Sequence, residues 1–72
     1  MMYRDSLLDE LRRVEREVVE GERQLAEQEA LLVAWKRQDR DVSEARAVLE
    51  LLLESQRRRE QDRQRLLWLL QP

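Results

Sequence analysis

Two arginines and two glutamines fall at positions where a helical chain would ordinarily place apolar side chains. Gln28, Gln56, Arg59 and Arg63 share the spacing of the leucines around them, and Gly21, the chain's single glycine, does the same. Guanidinium and amide groups converging between helices could cradle a small anion, and a glycine would make room for it. Isolated polar residues on an apolar stripe have a second known use, which is to fix the register of the pairing. The stems of Arg59 and Arg63 can also lie over the core while their charges reach Glu15, Glu17 or Glu22. The register reading is the expected one, with Gly21 allowing close approach opposite Gln56 or making room for the stems of Gln56 and Arg59.

Other chemistries find little to work with. "QRRREQDRQR", residues 56–65, carries five arginines and suggests a phosphate or nucleic-acid patch. Glu60 and Asp62 interrupt it and no aromatic residue is interleaved. Glu10, Glu15, Glu17, Glu20 and Glu22 stand opposite to pair with it, so internal charge pairing is expected and nucleic-acid binding by residues 57–65 is the alternative. The pairs Glu15/Glu22 and Glu20/Glu27 raise a carboxylate metal site. Helical di-metal sites add histidine ligands, and this chain has no His and no Cys. Ser6, Ser43 and Ser55 lack an activating base. No catalytic residue, cofactor site or metal site is assigned, and an enzyme is not expected.

The elements that must position these residues follow from composition. The 72 residues are 42% charged and 42% hydrophobic but only 4% aromatic, with one Gly and one Pro, the profile of long helices. Regular apolar spacing argues against disorder. A net charge of −2 argues against a general binder of nucleic acid or anionic membranes. The opening "MMYRDSLLDELRR" has no signal-peptide core, and no run approaches the roughly 20 apolar residues of a membrane span. A soluble, cytoplasmic protein is expected. "RLLWLLQP" at the end is read as finishing a core against Leu7, Leu8 and Met2 or Tyr3, with membrane contact the lesser alternative.

Helix starts are signalled at Asp5 or Ser6 and at Asp41, three residues before Glu44. Between them "WKRQDRD" suits a basic helix end and a short turn. The expected domain is a single helical hairpin over residues 1–72, with helix 1 about 6–37, a turn at 38–41 and helix 2 about 42–70. Along helix 1, Leu7, Leu11, Val14, Val18, Gly21, Leu25, Gln28, Leu32 and Trp35 advance by alternating steps of four and three. Helix 2 gives Val42, Ala45, Leu49, Leu52, Gln56, Arg59, Arg63, Leu66 and Leu70. Folded at the turn, position i meets position 77 − i along both stripes, so the fold class is all-α, an antiparallel two-helix hairpin of coiled-coil type about 45 Å long.

Apolar residues are left over. Val48, Leu51 and Leu53 lie off the seam, as do Leu67, Trp68 and Leu69, and helix 1 adds Leu8, Val19, Leu31 and Val33. A chain this small, with no cysteine to staple it, usually needs a partner. Val48, Leu51, Leu53, Leu67 and Trp68 are therefore expected to form the interface of a homodimer, two hairpins making a four-helix bundle. A helical segment of another protein, captured on the same faces, is the alternative partner.

"GERQLAEQEALLVAW", "RDVSEARAVLELLLESQ" and "DRQRLLWLL" together resemble a group of short bacterial helical-hairpin proteins without an assigned activity. The resemblance covers about residues 14–70 and rests on Gly21, Glu22, Arg23, Gln28, Asp41, Ala45, Leu49, Arg63 and Leu66. Members of that group often place a Gly in the interhelix turn, where this chain has "KRQDRD". What the resemblance implies is a fold and no mechanism.

Overall fold

The computed structural model describes residues 2–72, the side chain of Met2 excepted, so any role for that side chain against the C-terminal apolar run lies outside the described residues. Two helices, α1 (Met2–Arg37) and α2 (Ser43–Leu69), lie against each other in a hairpin 57 × 15 × 14 Å, with no strand among the described residues. The length exceeds the expected 45 Å because α1 starts at Met2, four residues before the expected start, and passes through Asp5 and Ser6 without a break. Nothing between residues 2 and 6 disfavours helix, and Asp5 sits favourably in the positive first turn. The Arg4 guanidinium donates to the Leu70 carbonyl at 3.3 Å. It thereby supplies the cation that α2 lacks in its own last turn.

Every residue of the two stripes is buried or half-buried, from Leu7 to Trp35 and from Val42 to Leu70. The tightest packing is at the open end. Leu11, Val14, Val18 and Leu66 form one cluster, with Leu7 and Leu70 packed against it. Toward the turn, Ala45 is buried and its small side chain lets Gln28 reach across to the α2 backbone, where Nε2 donates to the Ala45 carbonyl at 3.0 Å.

The turn uses backbone chemistry in place of glycine. Asp39 adopts φ 54°, the left-handed region. Arg40 N–H donates to the Trp35 carbonyl at 3.0 Å and Asp39 N–H to the Lys36 carbonyl at 3.1 Å. This pair of bonds closes a Schellman motif, which usually places Gly where Asp39 stands. An L-residue there carries about 1–2 kcal/mol of strain, less for the short polar Asp and Asn than for others. The Arg40 guanidinium lies over the Trp35 ring, 4.2 Å from its centroid.

Helix α2 begins at Ser43, one residue later than expected. Asp41 stands just outside it and accepts from Ser43 N–H at 3.0 Å and from Ser43 Oγ at 2.7 Å. Those bonds, the backbone one foremost, hold the Asp41 carboxyl below its ordinary value. The Arg23 hydrogen bond does the same for Glu20. A depressed carboxylate stabilises the fold above its unfolded value of about 4, and that contribution is lost as pH falls through the folded value. Thermal melts should therefore show a lower Tm at pH 3 than at pH 7. Asp41→Ala should narrow the gap, and an unchanged gap would exclude Asp41 from the effect.

Candidate functional site

Midway along the seam the apolar layers give way to a polar one. Gln56 is buried, with 8% of its surface exposed. Its Nε2 donates to the Val18 carbonyl at 2.7 Å, and its Oε1 accepts from Arg59 Nη1 at 3.3 Å. The amide lies directly over Gly21. A Cβ added at position 21 would collide with Gln56 Oε1 and come within 2.8 Å of Gln56 Cδ and Arg59 Nη1. The missing side chain of Gly21 is thus the space that the Gln56 amide fills.

One turn further, half-buried Arg63 donates to Glu60 at 3.3 Å and approaches Glu15 of α1 at 3.8 Å. Gln28 occupies a separate layer nearer the turn, bonded to Ala45. The structure therefore brings Gly21, Gln56 and Arg59 together and sets Arg63 beside them, while Gln28 stands apart. Among the described residues no buried side-chain polar atom lacks a hydrogen-bond partner. The buried polar groups of this layer hold one another, which suits a fixed register better than a site open to an anion.

The arginine cluster is occupied in part. Arg58 pairs with Glu54 at 2.9 Å, Arg65 with Asp62 at 3.9 Å and Arg63 with Glu60. The Arg58 and Arg65 pairs are exposed and carry little energetic weight, but together with Arg63–Glu60 they interleave acid with base along the face. On α1, Arg23 is flanked by Glu20 and Glu27, which raises its pKa, and Arg13 sits between Glu10 and Glu17. The described residues contain no group of His, Cys, Asp or Glu arranged to hold a metal ion. The Ser43 hydroxyl donates to Asp41.

The five apolar residues expected to form one interface are all exposed, but they do not form one face. At about 100° per residue, Val48 and Leu51 fall on one flank of the seam, Leu53 and Leu67 on the other, and Trp68 points further round toward solvent. On the first flank Val48 joins Leu31, Trp35 and Ala45 around a shallow groove of about 230 Å³. Leu51 continues that surface and is 65% exposed. On the second flank, Val19 lines a groove with Glu15, Glu22, Glu60 and Arg63. The partnership of Leu31 and Trp35 with Val48 was not anticipated. The signal was present, because Leu31 adjoins Leu32, whose partner in the 77 register is Ala45, one turn before Val48.

No helix of the described residues is long and apolar enough to cross a membrane. Comparison of the chain with models of protein families, with curated proteins and with solved structures gave no match.

Proposed function

We propose that this chain is a non-enzymatic interaction module that self-associates through an apolar flank of its hairpin, two copies forming a four-helix bundle. The observation that carries this reading is the flank of Leu31, Trp35, Val48 and Leu51. Leu51 is 65% exposed, Val48 41% and Leu31 38%, side by side across the two helices. Scattered apolar residues are normal on a surface, whereas a contiguous patch along a groove marks a contact. A two-fold arrangement would set the same flank of each copy against the other.

Light scattering coupled to size exclusion tests the proposal. The expected mass is twice 8.8 kDa. Leu51→Glu should return the protein to monomer mass with its helicity intact, because Leu51 contributes little to the hairpin's own seam. A two-fold contact loses the side chain twice, so association should weaken by at least about a hundredfold. A wild-type monomer at millimolar concentration would refute self-association.

A further inference from the structure

The seam has a property that the hairpin itself does not need. Leu7, Val14, Gly21, Gln28 and Trp35 on α1 are spaced by seven, and Val42, Leu49, Gln56, Arg63 and Leu70 on α2 continue the same series. The step from Trp35 to Val42 spans the turn and is also seven. Leaving and re-entering helix through a turn has therefore cost no phase. Only the companion positions change side, from four after the shared position on α1 to three after it on α2. At 3.5 residues per turn that moves the centre of the stripe by about 50°, well inside the roughly 100° width of an apolar face.

The turn is also poorly committed to turning. Residues 38–42, "QDRDV", include no Gly and no Pro, so nothing in them breaks a helix. Its one left-handed position is held by Asp39 at φ 54°, a conformation that straightening would relieve. Short hinges under strain favour exchange of identical elements between copies.

We infer that two copies of this chain can exchange their second helices by straightening residues 38–42, giving a rod-like dimer in which residue i of one copy faces residue 77 − i of the other. The relation i to 77 − i is its own inverse. Every seam contact of the hairpin is therefore remade twice across a two-fold axis, and the assembly closes on itself. Gln56 of one copy lies over Gly21 of the other, Leu66 packs on Leu11, and Trp35 comes beside Val42 at the centre. The inference concerns the seam and the turn, so it is independent of the exposed flank and goes beyond the association proposed there.

The experiment silences the flank with Leu51→Glu and varies residue 39 in that background. Asp39→Gly removes the strain of the turn and weakens the straight helix. Asp39→Ala does the opposite on both counts. Together these effects separate the two dimer dissociation constants by about a thousandfold, since each acts once per chain. Both proteins are refolded at millimolar concentration and measured by light scattering and small-angle X-ray scattering, with circular dichroism to confirm helix.

Asp39→Ala is expected as a dimer about 100 Å long, from 68 residues rising 1.5 Å each. Asp39→Gly is expected as a monomer close to the 57 Å of the hairpin. Two monomers, or a dimer no longer than the hairpin, would overturn the inference. Flank association is judged separately, from wild type against Leu51→Glu alone at micromolar concentration.

Discussion

Leu66→Ala should lower the stability of the hairpin by about 3 kcal/mol, while Leu67→Ala, one residue along, should cost well under 1. Leu66 is 1% exposed and lies in the cluster with Leu11, Val14 and Val18, whereas Leu67 is 36% exposed. Deleting a fully buried leucine side chain forfeits its transfer energy and leaves a cavity that two rigid helices close only partly, for a total of about 2–5 kcal/mol. A domain of this length has about 4–11 kcal/mol in all. The loss is thus a large share of the whole, and a fall in Tm of about 10–25 °C is the corresponding shift. Urea denaturation of both variants decides the matter. Equal effects at 66 and 67 would mean that the seam does not face the way described.

The second large effect is a reversal of sign. In the wild-type protein Gly21→Ala should destabilise by about 1–2 kcal/mol; once Gln56 has been replaced by Ala, the same substitution should stabilise by about 1. Alanine is the better helix former by about 1 kcal/mol, and at a neutral position that is all one would see. At position 21 the new Cβ occupies the place of the Gln56 amide. Arg59 can swing its tip into solvent. Gln56 is enclosed and cannot move without giving up its bond to the Val18 carbonyl, a buried hydrogen bond of 2.7 Å. Leaving such a group unpaired costs about 1–3 kcal/mol, more than the propensity gain. Truncating Gln56 removes the collision and the lost bond together, so only the propensity remains. A thermodynamic cycle over the four proteins measures the coupling directly. The same sign in both backgrounds would show that Gly21 is a tolerated glycine with no packing role.

The pairing of the helices was legible because two independent stripes shared one arithmetic. Alternating steps of four and three located each seam, and the constant sum of 77 set them against each other. The ends of the helices were less legible. Ser6 looked like a cap, but the helix reaches back to Met2, since a residue with capping chemistry is also tolerated inside a helix. Asp41 does bond Ser43, yet from one position further out than expected. The left-handed Asp39 gave no signal, because glycine is the residue that announces that conformation. As for the polar layer, spacing placed Gly21 opposite Gln56 but could not say which atoms would meet. The surplus apolar residues were recognisable as surplus, whereas their division between two flanks depends on each residue's angle about its own helix.

The cluster at the open end has a kinetic consequence. Its α1 members, Leu11, Val14 and Val18, lie about fifty residues from Leu66, so the two sides can meet only after the turn has formed and most of the seam has closed behind it. What anchors the native state is therefore absent for most of the climb to it. Truncating Leu66 or Val14 should leave the rate of folding nearly unchanged and multiply the rate of unfolding, with φ-values near zero at the two chain ends and higher ones near Trp35 and Ala45. Once closed, the two termini act as a latch, and how long the hairpin stays shut is set at the end farthest from its hinge.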